Sequence, residues 1–473
     1  MFWRTSQRPP PRSPTEKKKV NMLGALLSLS ALFIGIGLMM AGNGLQGSLL
    51  GLRGSLEGFD TAVLGIVMSG YFMGFLAGSL YAPRVVKRVG HIRVFAALAS
   101  LASAAILVHS IFIDPWVWGA MRVVTGFCYA GLYIVCESWL NDMSDNQNRG
   151  RLLAIYMVVQ MGAMSGGQFL LGLSDPSGAN LFMLIAVLVS LAVLPLCLSA
   201  TRAPDISAPE AMSFRELFQA SPLGTIGIFM SGIANGALFG FGAIYAQRAG
   251  LTVGEISTFV AAIFLGGMLL QFPIGRFSDI FDRRIVIMAA TLAASVAAAS
   301  ALFVPTPAPL DPMGPVTEER LVWPILALAV LIGGLSMPHY SLFTAHVNDR
   351  VPTAKMISAS SGLVFLNGAG AILGPNIAAA FMGALGPVGF FVTIAVVHAA
   401  IGMLTFFRIS RRAAPTPDEQ ADFVAMPMRG TQYASQMPTG WDSDETPEQS
   451  DDDAEPAMIF DDESEPEDQP AGP

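Results

Sequence analysis

Gly275-Arg276-Phe277-Ser278-Asp279-Ile280-Phe281-Asp282-Arg283-Arg284 joins two apolar runs, each long enough to cross a lipid bilayer. A helix needs ~20 apolar residues to span the hydrocarbon. The glycine that opens this basic turn has an earlier counterpart. Gly78 ends the second apolar run before another basic turn, 197 positions upstream. Two further pairs keep nearly the same step: Asn43-Gly44 recurs as Asn235-Gly236 after 192 positions, and Asn141-Asp142 as Asn348-Asp349 after 207. One period of about 200 residues, loosened by loop lengths, fits all three. The chain therefore reads as a duplicated six-helix unit whose copies enter the bilayer in the same direction, a construction common among secondary transporters.

Composition supports a membrane body with polar ends. Of 473 residues, 53% are hydrophobic and 13% charged, against roughly 25% charged in an average soluble domain. Residues 413–473 hold 17 Asp/Glu and one basic residue, Arg429; residues 1–412 hold 26 Lys/Arg and 18 Asp/Glu. The acidic balance belongs to the tail, and the body is basic. Residues 409–473 are polar, Pro-rich and poor in aromatics, which predicts a disordered acidic appendage. Residues 1–20 read as a basic cytoplasmic arm, disordered over 1–16. Cys128, Cys136 and Cys197 fall in apolar runs without metal-ligand spacing and are expected to be buried packing residues.

Twelve spans are expected, near 21–49, 61–82, 91–113, 115–140, 149–173 and 179–200, then 221–249, 253–276, 283–305, 321–347, 354–384 and 385–408. The domain plan is an N-terminal bundle over 21–200, a polar connector over 201–220 and a C-terminal bundle over 221–408. Within the connector, Phe214–Phe218 is amphipathic enough to lie on a membrane surface. The first apolar run exceeds 20 residues and shows no small-x-small site before Asn43, so it reads as a span rather than a cleaved signal. Of the 26 basic residues in the body and arm, 22 fall on one side of this plan. Only Arg53, Arg248 and Arg320 fall on the other, and Arg122 lies within a span. That bias places both termini in the cytoplasm; the expected location is the plasma (cell inner) membrane.

The basic turn that begins at Gly275 resembles the cytoplasmic loop motif of the major facilitator superfamily, Gly-x-x-x-Asp-(Arg/x)-x-Gly-Arg-Arg, with Asp282 where the family has its second glycine. The N-terminal copy keeps Gly78, Arg84 and Gly90 but has Ala82 where the acid would stand. Arg122 through Gly126 fits the family's Arg-x-x-x-Gly pattern of the fourth helix. Glu137-Ser138-Trp139-Leu140-Asn141, with Arg149-Gly150-Arg151-Leu152-Leu153-Ala154-Ile155-Tyr156, is similar to the YcaD-like branch of that superfamily. The resemblance covers roughly residues 21–408. It implies an all-α membrane protein of twelve transmembrane helices in two pseudo-symmetric six-helix bundles, with spans 1, 4, 7 and 10 around a central cavity. It also implies a latch on the cytoplasmic face made by Gly78, Arg84, Gly90, Gly275, Asp279, Arg283 and Arg284, closing when the protein opens outward.

Charge inside a span marks the candidate site. A cation at the bilayer centre costs at least ~2.5–3.5 kcal/mol, so such residues face a bundle interior or a wet cavity. At 100 degrees per residue, Arg122, Gly126, Tyr129, Tyr133 and Glu137 share one helical stripe, an expected cavity wall. Arg122 is the candidate for substrate or coupling, with a structural ion pair or interfacial snorkelling as its other readings. Glu137 is the candidate proton carrier, with a permanent pairing to Arg149 or Arg151 as the other. Asn43, Gln46, Gln160, Asn235 and Asn367 are further cavity candidates, since intramembrane amides face either a cavity or neighbouring helices. His339 and Tyr340 join them through their place on the tenth span, although a packing histidine is the competing reading of His339.

The expected function is a secondary transporter of a small solute by alternating access, coupled to protons. A passive facilitator, or a transporter-like sensor or assembly protein acting through the acidic tail, is the alternative. The chain shows no phosphate-binding Gly-x-x-x-x-Gly-Lys-(Ser/Thr) loop and no extramembrane catalytic domain. An enzyme, a cofactor, a metal site and a nucleic-acid partner are therefore not expected. Partners are the solute, protons and the lipid bilayer, and no oligomer is implied.

Overall fold

The computed structural model describes residues 22–144, 149–198, 211–304, 322–352 and 355–411, together with Phe423, Met426, Gly430 and Thr431. Twelve helices within them are long and apolar enough to cross a membrane. Spans 1 to 6 are Ser30–Leu56, Thr61–Val89, His91–Ile111, Pro115–Asp142, Arg151–Leu173 and Asn180–Cys197. Spans 7 to 12 are Pro222–Arg248, Val253–Ile280, Arg283–Phe303, Trp323–Asn348, Ser358–Leu385 and Gly389–Ile409. The described residues contain no strand. The expected residues 1–20, 201–210 and most of 409–473 lie outside the described set.

Polar residues start the spans where the backbone has unpaired N–H groups. Asp114 accepts bonds from Trp116 N and Val117 N, both at 2.9 Å, ahead of Pro115 at the start of span 4. Thr252 and Glu255 form a reciprocal capping box at the start of span 8. Asp282 caps span 9, accepting from Arg284 N at 2.9 Å. An acid stands where the resembling family carries glycine because here it begins a helix.

The duplication seen in the sequence recurs as duplicated contacts. A Cβ on Gly74 of span 2 would collide with the carbonyl of Val123 on span 4. One on Gly266 of span 8 would meet that of Val330 on span 10 in the same way. These residues are related by 192 and 207 positions. Gly44 of span 1 sits on the Met164 carbonyl of span 5, and Gly236 of span 7 on the Ala371 carbonyl of span 11, at the same two offsets. With no hydrophobic drive between helices in lipid, close backbone approach through small residues is what holds such bundles.

The two bundles join at the end away from the basic turns. Ser55 Oγ donates to Gln247 Oε1 at 2.7 Å, Ser69 Oγ to the Ile372 carbonyl at 2.7 Å, and Asn376 Nδ2 to Ser69 Oγ at 2.7 Å. Ser165 Oγ reaches the Ala261 carbonyl at 3.1 Å. All of these residues lie in the parts of their spans remote from the basic end. Span 10 breaks at Met337-Pro338, beyond which a second helical piece runs His339–Asn348; proline cannot supply the N–H that continuity requires.

The structure corrects two expectations. Cys128 and Cys136 are buried, but Cys197 is exposed, because an apolar run in a membrane does not distinguish a lipid-facing side from a core-facing one. Four residues of the segment expected to be a solvated tail are seated on the helices instead, with Met426 6% and Thr431 1% exposed. The connector run does form a short helix, Phe214–Ala220, with Phe214 and Phe218 exposed and Leu217 buried against Gly362.

Candidate functional site

Between the bundles lies a pocket lined by aromatic rings and two amides. Span 2 supplies Tyr71, Phe72 and Phe75, span 7 Asn235 and Phe239, span 10 Tyr340, and span 11 Asn367 and Gly368. No charged side chain is among its described lining residues. Gly430 also borders the pocket, and the space left is ≈ 30 Å³, room for about one or two water molecules. Asn235 is 3% exposed, and neither its Oδ1 nor its Nδ2 has a hydrogen-bond partner among the described residues. A buried amide left so is costly unless another molecule completes it. Asn367 donates to the Ile228 carbonyl at 3.3 Å, which fixes its side chain within the C-terminal bundle.

Of the sequence candidates, Asn235, Tyr340 and Asn367 border this pocket. Asn43 stands one layer behind it, its Nδ2 donating to the hydroxyls of Tyr71 and Tyr133, each at 3.1 Å. Arg122 is 4% exposed, its guanidinium 4.6 Å from the centre of the Tyr71 ring. The stripe of Arg122, Gly126, Tyr129 and Tyr133 faces span 2, with Gly126 against the Tyr71 carbonyl and the Tyr129 ring 6.2 Å from that of Tyr71. Tyr71 therefore carries the contact with the pocket that was expected of the stripe itself. Gln46 is fully buried, with no hydrogen-bond partner for its amide among the described residues. His339 packs inside the C-terminal bundle, bonded to the Ser336 carbonyl at 3.0 Å and 5.3 Å from the His398 ring. Packing, not the pocket, holds that histidine.

Glu137 is fully buried near the basic end of span 4. Its Oε1 accepts from the Tyr156 hydroxyl at 3.1 Å, which in turn accepts from Gln160 Nε2 at 3.3 Å. Its Oε2 accepts the Thr431 backbone N–H at 3.0 Å and also the Thr431 hydroxyl. The Arg149 side chain lies outside the described set, and Arg151 is exposed. Opposite, on the C-terminal bundle, Met426 N donates to Ser341 Oγ at 2.9 Å, and Phe423 N to Asp279 Oδ1 at 2.8 Å. The Phe423 ring covers Gly275, where a side chain would collide with it. Residues of the C-terminal segment thus bond to both bundles at the basic end.

The basic turn is ordered by a residue that its motif does not contain. Arg283, 1% exposed, binds Asp349 at 2.6 and 2.7 Å through one terminal nitrogen and reaches Asp279 at 3.6 Å. Arg284 chelates Asp282, with contacts of 2.8 to 3.2 Å. Partial burial would raise the Asp282 pKa, but the hydrogen bonds from Arg284 outweigh it and hold the carboxyl below its ordinary value. On the N-terminal side, Gly78 packs on Phe127 of span 4. Arg84 is exposed, and Gly90 ends span 2 at φ 97°. Asp349 was visible in the sequence only as half of the repeated Asn-Asp pair. Tyr71, Phe75 and Phe239 gave no signal, since aromatic residues on a span face lipid as readily as a cavity.

The description of the Major Facilitator Superfamily matches residues 27–259 and again 224–441. The chain is 27% identical over 364 residues to the uncharacterized MFS-type transporter YcaD of Escherichia coli strain IAI39, covering 76% of this chain and 89% of that one. The YcaD of Salmonella newport is 26% identical over 362 residues, covering 76% and 88%. Among solved structures, a mutant of the nucleoside transporter NupG superposes with a TM-score of 0.66 at 14% identity, covering 82% of this chain and 100% of that one. A bacterial homolog of the human lysosomal transporter Spinster, inward-facing and unoccupied, gives a TM-score of 0.55 at 15% identity, covering 87% and 97%.

Proposed function

This chain belongs to the Major Facilitator Superfamily, and from that premise we propose that it is a secondary active transporter of a neutral, ring-bearing small solute, working by alternating access. Membrane transport is the function of the family; the solute class is our reading of the pocket. Tyr71, Phe75, Phe239 and Tyr340 offer flat apolar faces, and the Asn235 amide, without partners among the described residues, offers its NH2 donors and its carbonyl acceptor. With no charged side chain among its described lining residues, the pocket favours a neutral ligand, since an ion there would forfeit its hydration. The Asn235 amide is the observation that carries this reading. Thermal stabilisation of the purified protein by a panel of neutral aromatic metabolites, nucleosides included, set against charged analogues, tests it. Asn235→Ala should abolish the stabilisation, and preferential stabilisation by charged ligands would refute the solute class.

Rocking of the bundles would open the joined end and close the basic end, which the positive-inside bias puts in the cytoplasm. The Glu137–Tyr156–Gln160 chain, at the boundary between spans 4 and 5, is our proposed proton path. Neutralising Glu137 would remove the acceptor charge that holds Thr431, so proton binding and opening of the cytoplasmic end would be linked. A proton ionophore should abolish accumulation while leaving equilibration; unaffected accumulation would favour a facilitator.

The bonds of Thr431 to one bundle and Met426 to the other support a second, compatible role for the tail: holding the protein at rest. With Gly430 beside the pocket, a solute larger than a water or two does not fit. Deleting residues 413–473 should therefore raise initial uptake severalfold in proteoliposomes. A fall in uptake would show instead that the segment is part of the working site.

A further inference from the structure

A second concavity, separate from the central pocket, lies at the basic end of the C-terminal bundle. Its volume is ≈ 260 Å³ and four arginines line it: Arg284 from the start of span 9, Arg350 from the turn after span 10, and Arg408 and Arg411 from the end of span 12. Ser221, which caps the first turn of span 7, and His346 complete the wall used here. No carboxylate is among the described lining residues. Asp282 neutralises one of the four charges through Arg284, and the nearby Asp349 is engaged by Arg283. Arg350 donates to His346 Nδ1 at 3.1 Å and to the His346 carbonyl at 2.8 Å, and its charge also acts on Asp282. Because an arginine can only donate, His346 Nδ1 is an acceptor and the ring proton sits on Nε2. Arg411 lies 4.8 Å from the Phe407 ring.

Arginines that only set topology need no convergence; they would sit in water along the bilayer edge. Here Arg284 is 4% exposed, and the cluster faces the N-terminus of the 27-residue helix Pro222–Arg248, the positive end of a helix dipole. Planar guanidinium forks and a helix N-terminus suit a phosphate group. The flanks indicate its source. Phe406, Phe407, Phe281 and Ile285 are exposed large apolar side chains beside Arg408, Arg411 and Arg284 in the sequence, as residues facing acyl chains would be. Basic pockets between spans at a membrane's cytoplasmic edge hold anionic headgroups.

We propose that this pocket binds the phosphate of an anionic phospholipid headgroup and so braces spans 7, 9, 10 and 12 as one body. All four spans belong to the C-terminal bundle, so the lipid would stiffen the moving unit without bridging the two halves.

The test uses the purified full-length protein, with thermal unfolding and native mass spectrometry as readouts. Phosphatidylglycerol is compared with phosphatidylcholine, and inorganic phosphate with chloride at matched ionic strength. Phosphatidylglycerol should raise the melting temperature by several degrees, and the doubly substituted Arg408→Gln, Arg411→Gln protein should retain at least fivefold less of it. Both side chains are partly or fully exposed, so that variant should melt like the parent without lipid. Arg408→Lys with Arg411→Lys should retain an intermediate amount, because lysine keeps charge but not the fork. Stabilisation by inorganic phosphate without any by phosphatidylglycerol would overturn the lipid as the source. Equal lipid retention by parent and glutamine variant, or no response to either anion, would overturn the site.

Discussion

At the scale of single residues, polar groups buried in the spans are distinguished by their partners. Arg122 rests on the Tyr71 ring, and a desolvated contact of that kind contributes about 2 kcal/mol or more. Tyr71 in turn borders the pocket and holds Asn43. Arg122→Ala should abolish solute uptake while leaving folded protein in the membrane, and Arg122→Lys should recover part of it. Normal uptake by the alanine variant would remove Arg122 from the pathway. Glu137→Gln keeps the shape and an acceptor but removes the charge. Its uptake should lose its pH dependence, and an unaltered profile would exclude Glu137 as the proton carrier. Asp282 behaves differently, since its lowered pKa keeps it ionised at neutral pH. Its contribution to stability is complete above the ordinary carboxyl value of 3.8 and is lost only as pH falls through the lower folded value.

At the scale of elements, span pairs are held by backbone contact at small residues and by one buried ion pair. Replacing Gly74 or Gly266 with leucine should prevent accumulation of folded protein, because each would drive a side chain into the facing carbonyl. Fluorescence-detected size exclusion measures this directly, and a monodisperse Gly74→Leu peak would contradict the contact. Arg283 and Asp349 are each 2% exposed in their side chains. Removing one partner strands a buried charge, at a cost of about 3–5 kcal/mol, whereas replacing both with apolar residues is often neutral. Arg283→Met alone should therefore lower the melting temperature sharply, and Arg283→Met with Asp349→Leu should restore most of it. Failure of the double variant to recover would show that Arg283 acts mainly through other partners such as Asp279.

At the scale of the whole molecule, the bundles are joined at one end by Ser55–Gln247 and Ser69–Asn376, and residues of the tail stand between them at the other. Alternating access requires the joined end to part. Cysteines at positions 55 and 247, introduced in a Cys197→Ser background so that the exposed native thiol does not interfere, should cross-link on oxidation and stop transport. Reductant should restore it. Full transport by the oxidised, cross-linked protein would mean that this end need not open.

The number of spans, their duplication and the basic face are legible in the amino-acid order alone, because these depend on local composition and on residues that recur at a fixed step. Gly44 with Gly236, and Asn43 with Asn235, were legible as a repeat before their packing was known. The pocket was only partly legible: Asn235, Tyr340 and Asn367 stood out as polar groups within apolar runs, whereas Tyr71 and Phe239 were indistinguishable from lipid-facing aromatics. That Arg122 faces span 2, that Cys197 faces outward and that Thr431 reaches Glu137 emerged from the packing of the helices. In a bilayer both the lipid side and the core side of a helix are apolar, so hydropathy finds the spans without giving their rotation. A contact across 294 residues depends on how the two bundles meet, which no local pattern records.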